Sequence, residues 1–202
     1  MNDRKFRIAV FASGRGSNLQ AIIDAISHKK LNCEICFVLS NNSKAFALEI
    51  ARNNNIPAIH LSEKNFHKDN FVNSLIDVLD QYMPDLIVLA GYMKLIPESI
   101  LKICRNKIIN IHPALLPKHG GQGMYGMNVH RSVFQAGEKI SGVTVHLVNE
   151  KYDEGKIIFQ KEVDISDCKS PEEIAEKILK YEHELYPYVI QKIIDKEIIL
   201  SE

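Results

Sequence analysis

Two rhythms of apolar and polar positions alternate along the first half of the chain. Apolar runs of strand length are followed by stretches with apolar residues three and four apart. Phe6–Ala12 is a buried-strand run, and Leu19–Ser27 follows it with Leu19, Ile22, Ile23 and Ile26 on one helical face. Cys33–Leu39 predicts a second strand, and Ser43 stands where a cap belongs ahead of a helix over Ala45–Asn53. Ile56–Leu61 gives a short third strand. Phe66–Tyr82 then carries Phe71, Leu75, Ile76, Val78, Leu79 and Tyr82 at helical spacing until Pro84 breaks it. Asp85–Ala90 is a fourth strand, Pro97–Cys104 a short helix and Lys107–Ile111 a fifth strand. This alternation predicts an α/β fold: a Rossmann-like, mostly parallel twisted sheet with helices on both faces.

The rhythm then changes. Lys118–Met127 is rich in glycine and reads as a loop, and Asn128–Ala136 is helix-like. Ser141–Asn149 and Lys156–Val163 form a β-β pair joined by the polar turn Glu150–Gly155. Pro171 opens a long C-terminal helix, Glu172–Asp195, in which Pro187 predicts a kink, and Ile198–Leu200 reads as an edge strand. With no repeat and no linker-like stretch, residues 1–202 are expected to form a single domain. The change of rhythm divides it into an N-terminal half, to about residue 106, and a C-terminal half, from about 107.

Composition narrows the function by exclusion. Lys+Arg and Asp+Glu both number 25, so the chain has no basic footprint for nucleic acid or an acidic membrane surface. No apolar run approaches the roughly 20 residues of a membrane span. Met1–Lys5 leads straight into the first strand, too short for a signal peptide, so a cytoplasmic location is expected. Cys33 and Cys36 form a C-x-x-C, but an odd spacing on a strand sends the thiols to opposite faces. No second pair completes a metal site, so they read as reduced, small apolar residues.

Three stretches carry chemistry. Gly14-Arg15-Gly16-Ser17-Asn18 lies between the first strand and the first helix, where free N–H groups and the positive end of the helix dipole suit an anion, most often phosphate. It is neither a Walker A loop nor a complete dinucleotide fingerprint. Leu19 stands in place of the third glycine, and the second strand ends in Ser40-Asn41-Asn42 instead of an acid. Asn110 and His112 are two residues apart at the end of the fifth strand. There they share a face and aim an amide donor and an imidazole at one spot. Asp153, in the acidic turn, matters if it folds back on His112, where a carboxylate would raise the imidazole pKa.

Gly14–Gln20, Asp85–Met93, Ile109–Pro117 and Asp153 with Gly155, in this order, resemble the folate-dependent formyltransferase superfamily. The Gly-x-Gly-Ser-Asn-Leu start and the compact length resemble its glycinamide ribonucleotide formyltransferases. The resemblance implies transfer of a formyl group from 10-formyltetrahydrofolate, as co-substrate, to the amino group of 5-phosphoribosylglycinamide in purine biosynthesis. Direct amine attack would proceed without a metal, and the catalytic residues would be Asn110, protonated His112 and Asp153. Gly16, Ser17 and Asn18 would hold the substrate phosphate, and Glu182 would touch the ribonucleotide. Met93, Lys94, Leu95 and Ile96, largely through backbone groups, would line the folate site with Asn110, and Lys68 would match a basic residue near the folate. The implied partners are these small molecules alone, with no nucleic acid and no membrane, on a monomer or weak homodimer.

The alternatives are a formyltetrahydrofolate hydrolase, a methionyl-tRNA formyltransferase and a non-catalytic nucleotide-binding module. A hydrolase normally carries a preceding regulatory domain. The tRNA enzyme needs a further domain and a basic surface, and a binding module leaves the Asn110, His112 and Asp153 set unexplained. His119–Met127 is longer than the proline-glycine loop of many family members; a lid and an ordered insertion both remain open. Leu116-Pro117 is, by resemblance, a candidate cis peptide.

Overall fold

The computed structural model describes residues 4–65 and 68–201, with all their side chains except those of Asn65, Lys68 and Asp69. Apolar runs in the first half become strands, largely buried on both faces except for the short edge strand at Ala58–His60. These are β1 (Phe6–Phe11), β2 (Cys33–Ser40), β3 (Ala58–His60), β4 (Leu86–Leu89) and β5 (Ile108–His112). They are joined by α1 (Ser17–Ser27), α2 (Phe46–Asn53), α3 (Lys68–Tyr82) and α4 (Glu98–Ile103). The second half adds α5 (Met127–Gln135), β6 (Ile140–Leu147), β7 (Ile157–Asp164) and α6 (Pro171–Ile194). One seven-stranded sheet results, in the order β3-β2-β1-β4-β5-β6-β7. The first five strands are mutually parallel, and β6 and β7 complete it antiparallel. The sheet runs without interruption across the divide near residue 106, because β4 pairs with β5.

Period-two alternation along the strands builds a core on each face. Ile8, Val10, Val38, Val88 and Ile109 face one way and pack with Leu19 and Ile22 of α1, Val129 of α5 and Ile178 of α6. Ala9, Phe11, Phe37, Ile87 and Ile108 face the other way, against Phe71 and Leu75 of α3 and Ile100 of α4. Cys33 and Cys36 lie in opposite cores, as their spacing predicts. Cys36 is the extra residue of a bulge against β1, and its thiol donates to the Ile8 carbonyl at 3.2 Å. Burial pushes the Cys33 thiol up to about 12 and the Cys36 thiol up to about 11, so neither is a nucleophile near neutral pH.

Tyr186 of α6 is fully buried. Its hydroxyl lies 2.9 Å from the Leu89 carbonyl and 3.2 Å from the Ile109 carbonyl. A buried hydroxyl needs such acceptors. Here they fasten α6 to the middle of the sheet, beside the carboxyl ends of β4 and β5. Ser170 caps α6 by accepting the Glu173 N–H at 3.2 Å, and the helix runs unbroken through Pro187. No helix among the described residues is long and apolar enough to cross a membrane.

Two local expectations fail. Ser43 does not cap α2: the flanking residue is Ala45, with no side-chain cap. The Ala47 N–H instead donates to the carbonyl of Gly14 at 3.1 Å, so the glycine loop itself closes the start of α2. Ile198–Leu200 is not a strand. The chain turns at Lys196 (φ 61), the Ile198 N–H returns to the Lys192 carbonyl, and Ile198 and Leu200 cover the core with their side chains.

Candidate active site

The carboxyl ends of β1, β4 and β5 open into a cleft of about 780 Å³. The connections after β1 and β4 part there, at the switch point of a doubly wound sheet, where open α/β folds bind ligands. A larger groove of about 1250 Å³ runs between α1, α2 and α6. It contains Ser17 but neither Asn110, His112 nor Asp153, so the smaller cleft is the candidate site.

At the anion end, Gly16 adopts φ 75 immediately before α1. A Cβ there would stand 2.9 Å from the Ala47 Cα, so both conformation and space demand glycine. Helix α1 has no side-chain cap and no acid in its first turn, which leaves its leading N–H groups available to a ligand. Asn18 differs from expectation. Its side chain is buried and its Nδ2 donates to Glu182 Oε2 at 2.6 Å, so its backbone and not its amide is available to a phosphate. The Asn18 Oδ1 is buried without a hydrogen-bond partner. Glu182 is itself 9% exposed, and burial pushes its carboxyl up to about 7 despite the Asn18 amide.

The opposite wall follows β4. The Met93 N–H donates to Ser13 Oγ at 2.8 Å, which ties the exits of β1 and β4 together. Met93, Lys94, Leu95 and Ile96 all line the cleft. Met93 and Leu95 are exposed, whereas Ile96 is buried in the core beneath. The Met93 N–H is already engaged, so the contribution expected of these backbones is reduced by one donor. The Lys68 side chain lies outside the described residues.

At the centre, Asn110 and His112 do share a face at the end of β5. Antiparallel pairing sets His146 opposite Asn110 and Thr144 opposite His112. His146 Nδ1 lies 2.8 Å from the Leu147 carbonyl, and its Nε2 lies 3.1 Å from Asn110 Nδ2. His146 Nε2 thus stands between the Asn110 amide and the Asp153 carboxylate, with its ring anchored through Nδ1 at the Leu147 carbonyl. Asp153 does fold back: its Oδ2 lies 3.5 Å from His112 Nδ1 and its Oδ1 lies 3.5 Å from His146 Nε2. The Gly121 N–H donates to Asp153 Oδ2 at 3.0 Å, so the glycine loop closes over the carboxylate. Gly155 lets the acidic turn lie flat on β6, since a Cβ there would stand 1.7 Å from the Leu147 carbonyl oxygen. The Leu116–Pro117 bond is cis, as the resemblance implied.

Charge at His112 corrects one expectation. The imidazole is 3% exposed, and this burial lowers its pKa more than Asp153 and the His119 carbonyl raise it. The net direction is downward, because an Asp153 contact of 3.5 Å does not offset desolvation. Burial also raises Asp153, but His146, the His112 charge and the Gly121 N–H together hold it below the usual carboxylate range. His146 and His119 are the residues that sequence reasoning missed. A period-two polar pair, Thr144 and His146, in an otherwise apolar strand was the available signal for the first.

A profile of the formyl transferase family matches residues 6–190, and the chain belongs to that family. Its relatives point to one branch. The chloroplastic phosphoribosylglycinamide formyltransferase of Arabidopsis thaliana is 40% identical over 197 residues, which span 96% of this chain and 68% of that protein. The phosphoribosylglycinamide formyltransferase of Haemophilus influenzae is 39% identical over 186 residues, 92% of this chain and 85% of that protein. The crystal structure of glycinamide ribonucleotide transformylase 1 from Symbiobacterium toebii superposes with a TM-score of 0.89 at 34% identity, covering 97% of this chain and 91% of that one.

Proposed function

We propose that the protein transfers the formyl group of 10-formyltetrahydrofolate to the amino group of 5-phosphoribosylglycinamide, giving the N-formyl product and tetrahydrofolate in purine biosynthesis. The observation that carries this reading is the set of Asn110, His112, His146 and Asp153 at the carboxyl end of β5, in one cleft with an uncapped helix start. The backbones of Gly16, Ser17 and Asn18 hold the substrate phosphate, and Glu182 reaches the ribonucleotide. The folate lies along Met93–Ile96 and reaches Asn110.

The neutral amine attacks the formyl carbon, a C–N bond forms, and the carbonyl electrons move to oxygen. The Asn110 amide, packed beside His146, donates to that oxyanion, and imidazolium at His112 supplies positive charge beside it. Asp153 keeps the imidazolium accessible against the burial that disfavours it, and the oxyanion favours it further. The bond from carbon to the leaving folate nitrogen then breaks as a proton passes from the attacking amine to that nitrogen. The donor is already an activated formamide, so neither a covalent nucleophile nor a metal is needed. This reading treats residues 1–202 as one catalytic domain, monomeric or weakly dimeric, working in the cytoplasm without nucleic acid or membrane as partner.

The test is folate release from 10-formyltetrahydrofolate, with and without the ribonucleotide. Release only when the ribonucleotide is present supports the proposal. Release without an acceptor favours hydrolysis, and no release under either condition overturns the enzymatic reading.

A further inference from the structure

His112 meets a second acceptor besides Asp153: its Nε2 lies 2.9 Å from the backbone carbonyl of His119. That carbonyl belongs to an unusual residue. His119 has φ 56, in the left-handed region that favours glycine and, among other residues, asparagine. Its side chain is tied to the adjacent helix, with Nδ1 2.8 Å from Ser132 Oγ of α5. Its Nε2 has no hydrogen-bond partner and faces Glu138 Oε1 at 3.7 Å, and Glu138 in turn pairs with Lys118 at 3.1 Å.

We propose that His119 is a positioning residue for His112: its side chain, anchored on Ser132, fixes the carbonyl that orients the His112 ring and selects its protonation. The argument is one of tautomers. A carbonyl can only accept, so Nε2 must carry a proton to satisfy it. Were Nε2 bare, its lone pair would face the carbonyl oxygen; were Nδ1 bare, its lone pair would face the Asp153 carboxylate. Each neutral tautomer therefore meets one repulsive contact, and only the imidazolium satisfies both acceptors. The carbonyl thus supports the charged form that the reaction needs, against burial. The other titratable groups facing His112 are His146 from β6 and His130 from α5, together with Asp153 from the acidic turn and His119 from the loop. Of these, only Asp153 and the His119 carbonyl favour charge on His112.

This inference rests on His112 assisting formyl transfer, but one of its readouts does not. Ring ¹⁵N NMR of the free protein follows the His112 titration and tautomer without any substrate. Ser132→Ala removes the anchor from the far side, and His119→Leu removes it from the near side. In both, the His112 midpoint is expected to move lower and the Nε2–H signature to weaken. The kcat is expected to fall about fivefold, the scale of one hydrogen bond, with both KM values nearly unchanged. His119→Asn tolerates the left-handed backbone and keeps an amide near the Nδ1 position, so it is expected to restore both readouts. An unchanged His112 titration in Ser132→Ala overturns the proposal, as does a kcat that rises, because the carbonyl would then be blocking His112. Shifted titration in a protein that transfers no formyl group would leave the positioning role standing and refute the reaction instead.

Discussion

Glu182→Gln isolates the most strongly perturbed carboxyl in the cleft. The substitution keeps shape and keeps an oxygen to accept the Asn18 amide, but cannot ionise. In the folded protein Glu182 is 9% exposed and its pKa rises from the ordinary 4.5 to about 7. Between these values the folded state holds a proton that the unfolded state has released, so stability falls as pH rises. The contribution is fully present below pH 4.5 and lost as pH passes through about 7. A gap of about 2.5 at roughly 1.4 kcal/mol per unit gives about 3.5 kcal/mol at its limit, an order-of-magnitude figure of which about 3 falls between pH 4.5 and 8. Urea denaturation of both proteins at intervals from pH 4.5 to 8 reads it directly, since all other titrating groups cancel in the difference. The variant should gain on the wild type steadily across that window, by about 3 kcal/mol in all. A difference that stays constant with pH would show that Glu182 titrates normally and that the wall beside Asn18 is wetter than its burial implies.

Three further outcomes follow from the site. Asn110→Ala removes the amide donor and should lower kcat about a hundredfold, roughly 3 kcal/mol of barrier, in steady-state formyl transfer; a loss of less than about fivefold would remove Asn110 from the oxyanion site. Asp153→Asn takes away the main group that favours charge on His112, so turnover should drop at least about tenfold and its alkaline fall-off should move to lower pH; an unshifted profile would exclude Asp153 from control of the imidazole. Gly155→Ala drives a Cβ against the Leu147 carbonyl and should destabilise the fold by about 3 kcal/mol or more in urea, a near-neutral result showing that the acidic turn can lift off β6.

Much of the fold was legible because local pattern and tertiary burial agree. Apolar runs buried on both faces became parallel strands, and residues three and four apart became the helix faces that cover them. The failures fall where a long-range contact replaces a local one. Ser43 is a good cap by residue type, but the Gly14 carbonyl, 33 residues away in sequence to its Ala47 donor, takes that function. Ile198–Leu200 has a strand-like composition, yet the turn at Lys196 spends it on covering the core. In the site, Asn110 and His112 were readable because spacing on one strand is a local property. Asp153 was readable only as a conditional partner in an acidic turn, its catalytic role came from resemblance, and its contact with His112 depends on how that turn packs on β6. His146 left only a faint trace, a period-two polar pair with Thr144, and acquires its meaning through the antiparallel register that sets it opposite Asn110. The downward pKa of His112 was equally out of reach, since burial is a property of the assembled cleft and not of the motif.

The central claim is direct transfer between two small molecules held in one cleft. Incubating the protein with 10-formyltetrahydrofolate carrying ¹³C in its formyl group, together with the ribonucleotide, and following both product and protein by mass spectrometry tests it. The account predicts label in the formylated ribonucleotide, none in formate above background and no mass added to the protein at any time. Label in formate, or a formylated protein intermediate, would contradict it.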